Sequence, residues 1–236
     1  AAGITPFSLG GDFEWSRYWP LQIFCATLAD DDLYRIVGGE TTGEFPEIVY
    51  AFDQFREFCE KGYFGTPAGA MDESSAQLAF CNGKVAMIAE GTWNNSLFTD
   101  LGFEVGRFAL PDENGVKVAQ NGYSNFTTYA VSSKCANPEA AWKYVQFLDS
   151  QEALQIAEDY WKSIPAVTCV EVNDPLTEAV SNFQRVGNNI YHVLSNVPTE
   201  TGKPQDVFMS SVIPDLMTGT ITGTEGMQRI IDEMNK

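Results

Sequence analysis

Three groups of side chains in this sequence have types that could do chemistry, and two of them lack the spacing that chemistry needs. The five cysteines, Cys25, Cys59, Cys81, Cys135 and Cys169, form no CxxC pair, and the single histidine, His192, completes no Cys/His zinc set. No serine or cysteine elbow lies near His192, which reads as a helix or loop surface residue, and neither a Walker A nor a dinucleotide glycine motif is present. The 32 acidic residues are numerous enough to supply a glycosidase pair by chance. No spacing singles out two carboxylates that would sit about 5–10 Å apart across a cleft. The run Asp30–Asp32 lacks the rest of a calcium-loop pattern and reads as a solvated turn. The third group is aromatic, at 13% of the chain. Such an excess of rings serves either core packing or flat binding surfaces for a ligand. Trp93 is the leading candidate, because it follows a strand end and Gly91, the place where open α/β sheets put ligands. Asn94 beside it either bonds a hydroxyl or caps a short helix.

The elements that must hold these rings come from a chain of 236 residues with 44% hydrophobic content, enough for one large domain or two small lobes. A net charge of −18 repels phosphate backbones and anionic lipid. It suits a neutral or cationic ligand, and also serves solubility alone. Cys25, Cys59 and Cys81 lie in apolar helical surroundings and read as buried thiols, and the odd count argues against a dense disulfide framework. No stretch approaches the ~20 apolar residues of a membrane helix. The chain starts at Ala1 without an initiator Met or signal peptide, which reads as a processed or trimmed product.

Periodicity predicts a helix over 15–29 with Pro20 near its first turns, and another over 46–61 with Ile48, Ala51, Phe52, Phe55 and Cys59 inward and Gly62 ending it. Asp72 reads as the N-cap of a short helix ending at Gly83, followed by a buried strand over 84–89 and a short helix from Trp93 to Asp100. Strands are expected over 103–110 and 126–131, with a DENG turn at 112–115. Asn137-Pro138 opens a helix whose inner stripe is Ala141, Trp142, Val145 and Leu148, so Trp142 reads as structural. Asp149 and Glu152 have capping-box spacing for the next helix, and Asp174-Pro175 starts another. Met227, Ile230, Ile231 and Met234 line one face of the last helix. Strands alternating with more numerous helices indicate an α/β class with a small sheet.

Two blocks are more specific. GKVAMIAEGTWNNSLFTDLGFEVGRFALP at 83–111 and NGYSNFTTYAVSSKCANPEAAWKYVQFLDSQEALQ at 121–155 resemble the family 1 extracellular solute-binding proteins of bacterial ABC importers, the relatives of maltose-binding protein. In that family a GKxAM strand runs into a GxW turn, a short helix and a strand ending in LP. NPEAAWKFxxFLxSxE follows later, and SIPAV at 163–167 matches a short proline segment. The resemblance runs over essentially the whole chain. It implies an α/β, type II periplasmic-binding-protein-like lobe with a small mixed sheet flanked by many helices. Members are typically longer and have two lobes. The opening AAGITPFSLGG resembles a point well inside the family pattern, with most of the first lobe absent before Ala1. By resemblance, residues 1–108 and 150–236 belong to the second lobe, and 109–149 to a strand-helix excursion returning to the first.

The resemblance also implies a function and a site. It implies the substrate-binding component of an ABC importer that captures an extracellular carbohydrate, an oligosaccharide above all, with no cofactor, no metal and no catalysis. Its partners would be the sugar and the importer's membrane subunits. Its location would be extracellular, at the cell surface through a lipid anchor or free in the periplasm. The family's GxW tryptophan, which stacks on sugar, resembles Trp93. The region of Glu14, Trp15, Tyr18 and Trp19, after Gly10-Gly11, lines the family's cleft. Not all four can share one helical side, and we expect Glu14, Trp15 and Tyr18 at the ligand and Trp19 in the core. Tyr123 and Asn125 resemble a stretch that contacts ligand near the hinge, and Trp161, before SIPAV, either stacks on ligand or covers the core. A binding protein for another small solute, such as a peptide or polyamine, is the principal alternative. A glycoside hydrolase and a purely structural module rank below it.

Overall fold

A computed structural model of the chain describes residues 4–120, 129–162, 167–180 and 185–236. Its elements in chain order are β1 (Thr5–Ser8), α1 (Glu14–Leu28), α2 (Asp30–Val37), α3 (Pro46–Glu60), α4 (Glu73–Cys81), β2 (Val85–Ile88) and a 3-10 helix (Thr92–Phe98). Then come β3 (Val118–Gln120), α5 (Pro138–Leu148), α6 (Gln151–Trp161), α7 (Pro175–Val180), β4 (Arg185–Gly187) and α8 (Ile190–Ser195). The chain ends with α9 (Pro204–Val207), a π-helical turn (Phe208–Val212), α10 (Ile213–Met217) and α11 (Gly223–Met234). Two compact units result. Unit 1 comprises 1–90, 109–124 and 183–236, and unit 2 comprises 91–108 and 125–182.

Unit 1 is a helical core with short parallel ladders. β1 pairs with β2 in register Thr5↔Val85, Phe7↔Met87 and Ser8↔Ile88, and β3 pairs with β4 through Ala119↔Val186. Both described sheets are two-stranded and parallel. The β1–β2 crossover runs through four helices, as parallel strands require. Ile48, Ala51, Phe52, Phe55 and Cys59 of α3 are all buried, as the spacing predicts. Met227, Ile230 and Met234 of α11 meet them. Burial of each large side chain contributes about 1.5–3 kcal/mol. The approach is close: a β-carbon on Gly223 would run into the Val49 carbonyl oxygen, and the Gly223 N–H donates to Asp53 Oδ1 at 2.8 Å. Thr222 and Glu225 close a capping box on α11.

The acidic run at 30–32 is not a solvated turn. It starts α2, and Asp30 and Asp32 are buried. Asp32 Oδ2 accepts the N–H of Glu47 at 2.7 Å and of Ile48 at 3.1 Å, so it caps α3 from a neighbouring helix. Its other oxygen takes Arg35 at 2.7 Å. Asp30 Oδ1 accepts the backbone and side-chain N–H of Asn188, each at 3.0 Å. Cys25 and Cys59 are buried as expected, whereas Cys81 is half-buried and all five thiols are free. His192 lies half-buried on α8, where burial lowers its pKa.

Unit 2 has a thin interior. Phe98 and Val170 are its buried apolar residues among those described, beside the polar Asn95, Glu158, Asp174 and Thr177. Asn137 caps α5 through Ala140 N at 3.2 Å. No residue of α5 is buried. Trp142 is 54% exposed, which corrects its structural reading. Periodicity marks an apolar stripe but does not supply a covering layer, and α5 packs on α6 alone among well-contacted elements. Ser150, rather than Asp149, caps α6. Residues 103–108 form no strand, because the described residues give them no neighbouring edge. Of the strand expected at 126–131, residues 129–131 are not strand and 126–128 lie outside the described residues.

Candidate functional site

In unit 1 the candidate residues stand on α1. Helical geometry puts Tyr18, Leu21, Gln22 and Cys25 on the inner face, and all four are buried. Trp15 and Trp19, four residues apart, share the adjoining face and stay half-buried, stacked with centroids 5.6 Å apart at 29°. Trp15 and Trp19 both pack against the core cluster. Tyr18 is fully buried and Trp19 takes a place beside Trp15. Four large residues within six positions leave the phase of the stripe ambiguous by one step, and packing against Phe208, edge-on to Tyr18 at 6.1 Å, decides it.

Tyr18 nevertheless supports Trp15. Its ring meets the Trp15 indole edge-on at 5.6 Å. Its hydroxyl lies 2.6 Å from Asn189 Oδ1 and 2.9 Å from Gln22 Oε1, one proton serving two acceptors. Burial raises the phenol pKa well above its ordinary value, so the hydroxyl stays protonated. Gln22 in turn accepts Ile190 N–H and donates to the Asn188 carbonyl, both at 3.0 Å, and Asn189 accepts His192 N–H at 3.1 Å. This network fixes the start of α8, and Tyr191 there meets the Trp15 ring edge-on at 4.9 Å. Tyr191 was not singled out from sequence. Glu14, in the first turn of α1, is exposed one residue before Trp15.

Beside this platform, the C-terminal ends of β1 and β2 open a small cleft lined by Ser8, Ser16, Trp19, Glu73, Gln77 and Glu90 among others. Gln77 donates to Glu90 at 2.9 Å, and Ser8 donates to the Ala76 carbonyl at 2.7 Å. Ser16 Oγ is buried with no partner among the described residues. The acidic and amide groups of this cleft were also missed. Strand-end position was the available signal, and it was applied only to Trp93.

In unit 2 the 3-10 helix carries Trp93 and Asn94. The Trp93 indole lies flat against Gly91, whose missing side chain leaves the space it fills, and any β-carbon there would strike the ring. The glycine of the GTW turn is needed for room, since its φ is an ordinary −83°. Trp93 is 42% exposed. Asn94 is half-buried, while Asn95 is fully buried. The 3-10 helix packs on α6, at whose end Trp161 is 52% exposed rather than covering the core. The structure thus brings Trp15 and Glu14 together on one helix, and Trp93, Asn94 and Trp161 on two packed elements of the other unit. Tyr123 and Asn125 lie outside the described residues. The arrangement offers open ring faces with amides and carboxylates beside them.

The sequence signature of the family described as bacterial extracellular solute-binding protein matches residues 3–155. An uncharacterized ABC transporter extracellular-binding protein of Pyrococcus horikoshii is 26% identical over 166 residues, covering 69% of this chain and 36% of that protein. A galactooligosaccharide-binding protein of Bacillus subtilis is 31% identical over 124 residues, 51% of this chain and 28% of that protein. The chain thus spans about a third of the curated relatives it matches. Among solved structures, a sugar transporter of Bacillus licheniformis in complex with stachyose superposes with a TM-score of 0.74 at 15% identity, covering 98% of this chain and 60% of that one. A chitin oligosaccharide binding protein superposes at 0.72 with 18% identity over the same shares. At these identities the likeness is one of fold, the type II periplasmic-binding-protein class.

Proposed function

Because the chain belongs to the bacterial extracellular solute-binding protein family, we propose that it serves an ABC importer by capturing a carbohydrate, an oligosaccharide above all, outside the cytoplasmic membrane. The observation that carries this reading is the Trp93 indole, seated on Gly91 with its outer part open to solvent. Such a ring gives a pyranose C–H face a rigid surface, and the adjoining Asn94 gives its hydroxyls a planar partner. Trp15 and Glu14 would act likewise in unit 1, with Tyr18 as buttress rather than contact, and Trp161 would extend the surface in unit 2. Tyr123 and Asn125 remain proposed contacts on family resemblance.

Two lobes closing on the ligand would bury it, and the closed form would dock on the importer's membrane subunits. A lipid anchor or a free periplasmic form would keep the whole protein beside them, as the names of relatives such as a maltooligosaccharide ABC transporter solute-binding lipoprotein of Streptococcus pneumoniae suggest. The role is binding without chemistry, in keeping with relatives that are binding proteins. Tryptophan fluorescence and calorimetry against maltotriose, raffinose, stachyose and chitotriose test it, with a peptide mixture and spermidine as controls. Saturable heat with an oligosaccharide is expected. Heat with spermidine or peptides alone would overturn the carbohydrate reading, and turnover of a chromogenic glycoside would overturn the non-enzymatic one.

A further inference from the structure

We propose that Asn95 is the positioning residue that fixes Trp93 and Trp161 as one pair, and that the pair selects oligosaccharides over single sugars; the inference rests on the carbohydrate reading above. Asn95 sits two residues after Trp93 in the 3-10 helix and is fully buried, while Trp93 is not. Its side-chain nitrogen donates to the Lys162 carbonyl and, at 2.9 Å, to Thr177 Oγ1. Its side-chain oxygen accepts from the Arg107 guanidinium. Lys162 follows Trp161 directly and closes α6 in the left-handed region, φ 56°, with its N–H on the Glu158 carbonyl at 2.7 Å. Thr177 is held in turn by Asp174, whose Oδ2 accepts the Thr177 N–H at 2.8 Å and lies 2.9 Å from its hydroxyl. One buried amide therefore ties the turn carrying Trp93 to the backbone immediately after Trp161.

The chemistry of that position is selective. Two donated bonds and one accepted from a cation require a carboxamide. A carboxylate keeps the Arg107 bond and loses both donors, and an aliphatic side chain loses all three. Few apolar side chains are buried inside unit 2 among the described residues, so this polar tie bears on how the 3-10 helix meets the end of α6. Two open indoles fixed in relation to one another would each offer a face to a sugar ring, and the ordering cost would fall on folding rather than on binding. A monosaccharide meets one ring at a time and gains nothing from the fixed spacing.

The test measures affinity for the best-bound member of the oligosaccharide panel and for its constituent monosaccharide. Asn95→Asp is expected to weaken the oligosaccharide about tenfold while changing the monosaccharide less than twofold. Thr177→Val, which removes one partner, should weaken the oligosaccharide about threefold, and Thr177→Ser should restore it. In a double-mutant cycle, the coupling between Trp93→Ala and Trp161→Ala should disappear when Asn95 is replaced. Equal losses for both sugars, or no loss, would overturn the positioning role. If Asn95→Asp does not fold, the contrast between Thr177→Val and Thr177→Ser decides, and identical behaviour of the two overturns it. Trp93→Ala without effect on any sugar would overturn the carbohydrate site itself, whereas a damaging Trp93→Ala beside a neutral Asn95→Asp would overturn Asn95's role alone.

Discussion

The hydroxyl of Tyr18 and the side-chain oxygen of Asn189 lie 2.6 Å apart, a contact across 171 positions that joins the first long helix to the start of α8. Through it, the two aromatic rings that flank Trp15, Tyr18 and Tyr191, hold fixed places relative to each other. Removing the hydroxyl takes one bond from each of Asn189 Oδ1 and Gln22 Oε1, which keep the backbone N–H groups of His192 and Ile190. Tyr18→Phe should therefore lower stability by about 1–2 kcal/mol in urea unfolding, with the aromatic packing retained. Affinity for sugar should fall much less than with Trp15→Ala.

Trp93→Ala removes the ring that Gly91 makes room for. Affinity for the preferred oligosaccharide should drop about tenfold in calorimetric titration, with the melting temperature nearly unchanged because the ring is open to solvent. Gly91→Ala is expected to act similarly, since its added methyl displaces the indole from its seat.

Asp32 caps a helix to which it does not belong. Asp32→Ala strands the N–H groups of Glu47 and Ile48 and one bond of Arg35. The expected loss is about 2 kcal/mol in unfolding free energy, read from the urea midpoint, with Asp32→Asn losing less.

Burial first, and the neighbouring Asp174 charge second, push the Glu158 carboxyl above its ordinary 4.5. A raised carboxyl holds its proton more tightly folded than unfolded. Its contribution is complete below the ordinary value and is lost as pH rises through the folded one. Glu158→Gln should thus gain melting temperature over wild type at neutral pH, and the gain should vanish on acidification to about pH 4. A constant difference across that range would refute the assignment.

Thiol labelling separates the cysteines. Cys169 is exposed, whereas Cys25 and Cys59 are buried, and burial pushes the Cys59 thiol up to about 12 and raises Cys25 further. Iodoacetamide at neutral pH should modify Cys169 first and reach Cys25 and Cys59 only on unfolding, as mass spectrometry of peptides would show.

Much of this was legible in the residues, for identifiable reasons. Ile48, Ala51, Phe52, Phe55 and Cys59 sit at helical spacing with polar residues between them, so α3 and its buried face follow from periodicity alone. Asp72 and Asn137 announce helix starts because a cap is a local event. The full burial of Tyr18 was harder to read: adjacent bulky rings fit either phase, and distant Phe208 selects one. Asp32 was misread because its partners lie 15 and 16 residues away. The three-residue ladder of Arg185–Gly187 is too short to carry a pattern at all. Trp93 was singled out because a glycine, an aromatic ring and a strand end coincide. Trp19, Glu73 and Glu90 were not, because their meeting depends on a crossover through four helices.

The bond from Gly223 to Asp53 spans 170 positions, and the helices it joins supply much of the same core. During synthesis, α3 emerges before α11, so the part of its buried face that α11 covers stays open until that helix docks. A polypeptide that matures outside the cell must first be threaded through a membrane channel. Docking of α11 on α3, pinned by the bond from Gly223 to Asp53, is what seals this core.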